Sequence, residues 1–295
     1  MISTIRRIEA KMFPNSEFYG YIKIFAEIGI NHNGDIDIAK RLIDVAKNAG
    51  CDAVKFQKRN IETVYKSDFL ESFRESPWGS TQRDQKEALE FSENDYDEIN
   101  NYAKGLGIDW FASAWDYESQ KFLRKYNLTF NKVASAMATN QEFLELVAGE
   151  GKLTYLSTGM CDLQQIDNAV SVFKSFDCPF VLMHSVAEYP APESALNLRC
   201  ILTLKERYDC KVGYSGHESS VSPSIVAATL GACAIERHIT LDRAMYGSDQ
   251  SASLEPSGIE TLVAQVRKIS VVMGDGNKRI SNGERENEIK LRYWL

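Results

Sequence analysis

The 295-residue chain has only four histidines, no CxxC pair and no long hydrophobic run. No segment reaches about 18 consecutive uncharged apolar residues, the length that a membrane-spanning helix needs. The N-terminal stretch MISTIRRIEAKMFPNSEFYGYIKI has no continuous apolar core either, so we expect neither a signal peptide nor a membrane span. Six cysteines without a CxxC pair favour reduced thiols and a cytoplasmic location over a disulfide framework.

The chain also lacks a cluster of lysines and arginines. Its net charge of −7 argues against nucleic acid as a partner, and an anionic ligand would have to be held by a few local cations in a pocket. A hydrophobic content of 44% with 25% charged residues is typical of a globular protein with a substantial core.

Short apolar, β-branched segments recur along the sequence, and an amphipathic stretch of helical periodicity follows most of them. The eight segments are 24–31, 53–57, 109–114, 130–135, 153–159, 180–185, 211–217 and 234–240. Eight strands that alternate with helices over roughly 250 residues are typical of a closed (β/α)8 TIM barrel. No GxGxxG motif opens the first helix, as it would in an open dinucleotide-binding sheet. We predict an N-terminal arm over residues 1–23 and a single barrel domain over residues 24–295.

One connection, residues 58–92, is much longer than the others and contains the stretch KSDFLESFRESPWGSTQRDQKEALEF. After the second strand of a barrel, a loop of this length would lie over the mouth, which predicts a partial lid. The alternative is a surface excursion with a short helix of its own.

Polar residues occur at the C-terminal end of nearly every predicted strand, where barrel enzymes place their catalytic groups. All four histidines are among them, and we interpret His32 and His184 more simply as groups that orient their neighbours. The set is Glu27, Asn31, His32, Lys55, Gln57, Ser113, Lys132, Ser135, Ser157, Thr158, His184, Ser185, Ser215, His217, Glu236 and His238.

Lys55 and Lys132 interrupt strands that should be buried on both faces, where an unpaired ammonium group is costly. Together with serine hydroxyls from several strand ends, they predict a site for a phosphate or a phosphate–carboxylate compound. The simpler interpretation is that each is an edge lysine whose head group reaches water.

His217 and His238 end neighbouring strands, so their imidazoles can share one divalent ion with open coordination positions. Glu27 and Asp249 would complete the shell or act through water. The alternative is that both histidines only form hydrogen bonds in a polar core. We expect Arg237 and Arg243 to be solvent-facing or loop-bracing cations without a catalytic role.

The motifs AEIGINHNGDIDIAKRLIDVAKNAGCDAVKFQ, LSTGM, GYSGHE and ERHITLDRAMYGSDQSASLEP together resemble the sialic acid synthase family, the phosphoenolpyruvate-dependent synthases of nonulosonic acids. The resemblance runs from about Ile24 to Arg292. It implies a TIM barrel, acting as a homodimer, that condenses phosphoenolpyruvate with a six-carbon aldose such as N-acetylmannosamine. Phosphate would leave by C–O cleavage with the help of a divalent metal, manganese first and magnesium or cobalt as alternatives.

The resemblance also implies a role for each matching residue. His217 and His238 match metal ligands, and Glu27, His238 and Asp249 match catalytic positions, with Glu27 as the base for the attacking water. Positions that bind phosphoenolpyruvate are matched by Lys55, Ser113, Lys132, Ser135, Ser157 and Ser215. Positions that face the sugar are matched by Gln57, Tyr189 and Asp249.

Three departures from the family pattern affect the sugar end. Ser135-Ala136-Met137 stands where Ser-Gly-Glu is frequent, and Val186 to Pro190 replaces Thr-Asn-x-Tyr-Pro, so the aldose is expected to differ from plain N-acetylmannosamine. The family's C-terminal antifreeze-like domain, which supplies an arginine to the sugar, is not in the sequence. Either the chain is truncated or a residue of the 58–92 connection, such as Arg59, Arg74 or Arg83, replaces that contact.

Two other functions remain open. One is a related ulosonate synthase that acts on a shorter or phosphorylated aldose, which extra basic residues at the sugar end would favour. The other is a non-catalytic, sugar-binding barrel.

Overall fold

Ten strands occur in the part of the chain that the structure describes, and eight of them form one closed parallel barrel in the order β1-β2-β5-β6-β7-β8-β9-β10. The computed structural model describes residues 21–294, so most of the predicted N-terminal arm lies outside the described residues. The strands are β1 Lys23–Gly29, β2 Ala53–Lys58, β3 Phe73–Ser76, β4 Gly79–Thr81, β5 Asp109–Ala114, β6 Asn131–Val133, β7 Thr154–Ser157, β8 Phe180–Ser185, β9 Val212–Gly216 and β10 Ala234–His238. The predicted TIM barrel is confirmed.

Helices separate the barrel strands and pack outside them through apolar stripes. In α1, for example, Leu42 and Ile43 are buried, Asp35 caps the N-terminus and Gly50 ends the helix at a φ of 85°, a left-handed conformation that favours glycine. The helices are α1 Ile36–Ala49, α2 Ile61–Val64, α3 Ser67–Leu70, α4 Gln82–Ala88, α5 Glu93–Leu106, α6 Tyr117–Leu123, α7 Gln141–Ala148, α8 Leu163–Ser175, α9 Cys200–Tyr208, α10 Ser222–Thr229, α11 Pro256–Met273 and α12 Asn282–Leu291. Among residues 21–294, no helix is both long enough and apolar enough to cross a membrane.

Two compact units can be distinguished in the described chain, residues 21–267 and residues 268–294. The first contains the whole barrel. The second contains the last turns of α11 and all of α12, whose N-terminus is closed by a capping box between Ser281 and Glu284. All residues discussed below belong to the first unit.

Aromatic side chains fill the lower part of the barrel interior. Phe25 packs edge-on against Phe111 and Tyr155, with ring centroids 5.0 and 4.9 Å apart. Because side chains on a strand alternate between its two faces, the residue two positions further along each strand points into the barrel as well. Those residues are Glu27, Ser113 and Ser157. The apolar layer is therefore the floor beneath a polar layer at the C-terminal end of the barrel.

The 58–92 connection contains α2, α3, the antiparallel β3–β4 hairpin and α4. It contacts the loop after β10 at Tyr246: Gln85 donates to the Tyr246 hydroxyl over 3.0 Å, and that hydroxyl donates to the Glu75 carbonyl over 3.2 Å. The rings of Trp78 and Tyr246 meet with centroids 5.5 Å apart. The connection thus has helices of its own and also reaches the mouth of the barrel.

Candidate active site

A cavity of about 210 Å³ lies at the C-terminal end of the barrel strands. Every residue predicted from the sequence for metal, phosphoenolpyruvate or sugar binding lines it, except Asp249. The predicted residues in its wall are Glu27, Lys55, Gln57, Ser113, Lys132, Ser135, Ser157, Tyr189, Ser215, His217 and His238. Trp115, Met160, Ala187 and Glu236 line it as well and had been assigned no role.

A larger cavity of about 550 Å³ opens beside α8 and α9. It shares Met160 and Ala187 with the first cavity but contains no lysine and only one histidine, His184. The charged groups that chemistry on an anionic substrate requires are therefore in the smaller cavity.

Two buried lysines and two buried glutamates form one charge network in the cavity wall. The Lys55 Nζ lies 3.2 Å from Glu27 Oε2 and 3.2 Å from Glu236 Oε1, and the Lys132 Nζ lies 3.9 Å from Glu236 Oε2. The sequence predicts buried lysines that need an anionic partner. The Glu236 carboxylate is one such partner for both Lys55 and Lys132. One signal could have identified it: Glu236 and His238 are two residues apart on β10 and so share a face.

Burial and neighbouring charges give these four groups different proton affinities. Desolvation, only partly offset by Lys55, raises the pKa of Glu27 to about 7. Glu236 is equally desolvated, but the attraction of Lys132 and Lys55 is stronger and lowers its pKa to about 2. Burial lowers the pKa of Lys132 to about 8, while the two glutamates raise that of Lys55 against its desolvation.

Gln57 fixes the position of Glu27. Its Nε2 donates to Glu27 Oε1 over 2.7 Å, and its own Oε1 accepts from Arg59. Gly29 lies directly beside this pair, with a φ of 56°, and a Cβ there would lie 3.1 Å from both the Gln57 Nε2 and the Glu27 Oε1. A side chain there would have to displace Gln57 or Glu27 slightly, and the backbone conformation itself favours glycine.

The serines at the strand ends hold the charged groups in place. Ser157 accepts a hydrogen bond from the Lys132 ammonium, and Ser215 donates to Glu236 Oε1 over 3.1 Å. Ser135 accepts from the Gly159 backbone N–H over 3.1 Å. All three line the same cavity. Ser157 and Ser135 accept in these contacts, so their protons can be donated to an anion, whereas the Ser215 proton is directed at Glu236.

His217 presents an unprotonated nitrogen. Its Nδ1 lies 2.6 Å from the Val186 carbonyl oxygen, which can only accept, so Nδ1 carries the proton and Nε2 is bare. The Tyr189 hydroxyl donates to this Nε2 over 3.2 Å. Burial lowers the pKa of His217 to about 4, so the ring is neutral near pH 7.

His238 lies beside His217, with ring centroids 5.5 Å apart. Its Nδ1 is buried and has no hydrogen-bond partner among the described residues, and the nearest carboxylate oxygen in an ion-pair arrangement, Asp249 Oδ2, is 3.8 Å away. Desolvation lowers the pKa of His238 to about 3, so this ring is neutral as well.

The two neutral imidazoles fit a divalent ion. A backbone carbonyl fixes the tautomer of His217, as is usual for metal-ligating histidines, and His238 has an orphaned buried nitrogen. Over residues 21–294, no three His, Cys, Asp or Glu side chains are grouped as a metal site. Neither Glu27 nor Asp249 is therefore grouped with the two histidines as a third metal-binding side chain among the described residues.

The other two histidines make structural contacts. The His32 Nδ1 accepts from the Gly34 backbone N–H over 3.0 Å, and its ring stacks on Phe91 at 3.9 Å. The His184 Nε2 lies 2.8 Å from the Leu196 carbonyl oxygen, to which it donates. Both agree with the simpler interpretation given from the sequence.

The expectation that Arg237 is solvent-facing or loop-bracing was wrong in its first part. Its side chain is fully buried, because side chains alternate along β10 and the outer face of this strand is covered. The buried guanidinium pairs with Glu218 at 3.0 Å. Arg243 does brace a loop, through the carbonyl oxygens of Ser253 and Ser219.

The chain is similar to known proteins over most of its length. The model of the NeuB family matches residues 42–278. N-acetylneuraminate-9-phosphate synthase of Mus musculus is 39% identical over 260 residues, which are 87% of this chain and 72% of the mouse protein. N,N'-diacetyllegionaminic acid synthase of Legionella pneumophila is 36% identical over 279 residues, covering 91% and 77%. The crystal structure of N-acetylneuraminic acid synthetase from Leptospira borgpetersenii superposes with a TM-score of 0.81 at 31% identity, covering 93% of this chain and 94% of that one.

Proposed function

Since the chain belongs to the NeuB family and is a synthase of the transferase type, we propose that it condenses phosphoenolpyruvate with an N-acetylmannosamine-like aldose. The product is a nonulosonic acid, and phosphate leaves by C–O cleavage. One observation carries the proposal: a single cavity contains both the lysines and serines suited to an anion and the two neutral histidines.

Lys55, Lys132 and the serine hydroxyls would hold the phosphate and carboxylate of phosphoenolpyruvate. The ammonium groups are buried and already fixed, Lys132 by Ser157 and Lys55 by the two glutamates. Charge-assisted hydrogen bonds from such fixed donors need no reorganisation when the substrate arrives.

Carbon–carbon bond formation requires C3 of phosphoenolpyruvate to attack the aldehyde carbon of the open-chain sugar. His217 and His238 would hold a divalent ion, for which we propose manganese, with magnesium or cobalt as alternatives. When bound, this ion supplies positive charge that polarises the aldehyde oxygen. Tyr189, Gln57 and Asp249, which surround the histidines and Glu27, would bind sugar hydroxyls.

Water then adds to C2, and Glu27 is the proposed base that receives its proton. A carboxyl group with a pKa of about 7 is suited to exchange protons near neutral pH. Collapse of the tetrahedral intermediate breaks the bond between C2 and the phosphate oxygen, so the phosphate remains against the lysines until it is released.

The test is phosphate release from phosphoenolpyruvate in the presence of manganese, across N-acetylmannosamine, its 6-phosphate, diacetamido sugars, mannose and arabinose 5-phosphate. Release that depends on both an aldose and the metal would support the proposal. Preference for arabinose 5-phosphate would favour the shorter-chain ulosonate synthase. Sugar binding without release from any acceptor would favour the non-catalytic barrel. We also propose that the protein is a cytoplasmic homodimer. Light scattering of the purified protein tests whether it is a dimer.

A further inference from the structure

Two arginines that the proposed chemistry does not use hold the turn that follows His217, residues 218–220. Arg237 lies on β10 directly before His238, and Arg243 lies in the loop after that strand. Between them, their guanidinium groups donate to all three backbone carbonyl oxygens of the turn. The two arginines therefore connect the β10 side of the site to the segment next to His217.

The sheet positions only one of the two neighbouring histidines. His238 is part of β10 and is paired with Glu27 of β1. His217 lies one residue beyond the end of β9, and the ladder between β9 and β10 ends with the pair Gly216 and Arg237. Strand hydrogen bonds therefore fix the backbone of His238 but not that of His217.

The loop after β8 supports His217 from one side only. The Val186 carbonyl oxygen accepts from the His217 Nδ1 over 2.6 Å, and the Ala191 backbone N–H donates to the His217 carbonyl oxygen over 3.0 Å. Both partners belong to the β8 side. The separation between the imidazoles of His217 and His238 thus also depends on how the 218–220 turn is held against β10.

Arg237 holds this turn from β10. One of its terminal nitrogens donates to the Ser220 carbonyl oxygen over 2.8 Å and to Glu218 Oε1 over 3.0 Å, and the other donates to the Glu218 carbonyl oxygen. The Glu218 carboxylate is fixed in turn, because the Tyr214 hydroxyl donates to its Oε2 over 2.7 Å and a Cβ on Gly216 would lie 2.6 Å from the same oxygen. The turn is therefore packed directly against the end of β9.

Arg243 holds the turn from the loop after β10. Its terminal nitrogen donates to the Ser219 carbonyl oxygen over 2.9 Å, and its Nε donates to the Ser253 carbonyl oxygen over 2.7 Å. The same loop contains Asp249, whose Oδ2 is 3.8 Å from the His238 Nδ1. Arg243 therefore ties the turn to the loop that approaches His238.

We propose that Arg237 and Arg243 are positioning residues for His217, and that they set the separation of its imidazole from that of His238 for a shared divalent ion. This inference rests on the proposed function, which assigns the two histidines to that ion. A guanidinium group is planar and presents several donors in a rigid fork, so each arginine can hold two carbonyl oxygens at once. Groups that orient the ligands of a metal commonly change its affinity about 10- to 100-fold when they are removed.

The test measures manganese binding to the metal-free protein by isothermal titration calorimetry, with phosphoenolpyruvate binding in the absence of metal as the reference. Arg243→Ala should weaken manganese binding about tenfold and leave phosphoenolpyruvate binding within about twofold. Arg243 is exposed, so this variant should fold as wild type does. Arg237→Lys keeps the buried charge beside Glu218 but loses the rigid fork, and it should also weaken manganese binding at least about tenfold.

A second readout needs no metal. The chain has only four histidines, so NMR spectra of the nitrogen-labelled imidazoles separate them, and His217→Ala assigns the His217 signal. The His217 Nδ1 proton is held by the Val186 carbonyl oxygen. In Arg243→Ala this proton should shift and exchange faster with water, while the His184 Nε2 proton, which is bound to the Leu196 carbonyl oxygen, should not change.

Arg207→Ala is the matched control. Arg207 is an exposed arginine of α9 that also makes two hydrogen bonds, both to Asp167, and its loss should change neither manganese binding nor the His217 signal. Manganese affinities in Arg243→Ala and Arg237→Lys that equal the control would overturn the inference. Equal losses of manganese and phosphoenolpyruvate binding would also overturn it, because they would indicate a general loosening of the barrel.

The proposed function has a separate point of failure. If wild type bound no manganese, the metal site of the proposed function would be contradicted. The metal-free spectra would still decide whether the arginines position His217, since an unchanged His217 signal in Arg243→Ala would exclude that role.

Discussion

Glu27 and Glu236 share the ammonium group of Lys55, whose Nζ lies 3.2 Å from a carboxylate oxygen of each. The two carboxylates nevertheless differ, because Lys132 approaches only Glu236. The pKa of Glu27 is about 7 and that of Glu236 about 2. Two acids whose environments separate their pKa values in this way are suited to different tasks: Glu236 is a permanent anion, and Glu27 can exchange protons.

This difference predicts unequal stabilities for two isosteric variants. Glu236→Gln should lower the free energy of unfolding by about 3 kcal/mol, because it leaves two buried ammonium groups without their main anion. Glu27→Gln should cost about 1 kcal/mol, because Glu27 is already partly protonated at pH 7 and the amide still accepts a hydrogen bond. Urea denaturation of both variants at pH 7 measures the two values. Equal losses would contradict the division of roles.

The pH dependence of phosphoenolpyruvate use should report Lys132. Its pKa is lowered to about 8, so the side chain is an ammonium group below that pH and becomes a neutral amine above it. The kcat/KM for phosphoenolpyruvate, which reflects the free enzyme, should therefore fall as pH rises through about 8. In Lys132→Arg the fall should move beyond pH 10, because a guanidinium group stays charged.

Steady-state rates at fixed acceptor concentration from pH 6 to 10 check this prediction. Lys66→Arg is the control, since this exposed side chain should leave the profile unchanged. A profile that is identical in wild type and Lys132→Arg would assign the titration to another group.

Metal binding should depend on His217 and His238 and not on His184. His217→Ala and His238→Ala should each weaken manganese binding at least about tenfold, as loss of one ligand nitrogen from a small donor set requires. His184→Gln should bind manganese as wild type does, because its imidazole is engaged by the Leu196 carbonyl. Isothermal titration calorimetry without substrates gives these affinities independently of activity. Unchanged binding in either alanine variant would remove that histidine from the site.

The barrel could be predicted from the sequence because its signals are local and repeated. Each strand contains a short apolar segment, such as the one in β2 that Lys55 interrupts, and a stretch with helical periodicity follows most of them. The polar layer could be predicted as well, since the C-terminal ends of parallel strands meet at one end of a closed barrel. The positions of Lys55, Lys132, His217 and His238 in one cavity follow from that rule.

The pairing within the site could not be predicted, because it depends on distances between strands that are far apart in the sequence. The spacing of Glu236 from His238 puts both on the inner face and Arg237 on the outer one, but nothing local indicates that Glu236 would lie between two lysines or that Arg237 would pair with a buried Glu218. The basic residues of the 58–92 connection depend on the path of that connection. Arg59 reaches the cavity wall through Trp115 and Gln57, while Arg83 pairs with glutamates, and the spacing of basic residues alone does not distinguish these two outcomes.

The contact between Tyr189 and His217 predicts that one substitution will strengthen manganese binding and weaken the binding of the acceptor sugar. The Tyr189 hydroxyl donates to the same His217 nitrogen that would ligate a metal, so the hydroxyl and the ion compete for one lone pair. Tyr189→Phe should therefore bind manganese up to about fivefold more tightly, the equivalent of one hydrogen bond of about 1 kcal/mol. At the same time its KM for the acceptor sugar should rise, since the variant loses a hydroxyl proposed to bind the sugar. Calorimetry with manganese and initial rates with saturating phosphoenolpyruvate measure the two effects separately. Weaker manganese binding in the variant would show that Tyr189 supports the metal site instead of competing with the ion.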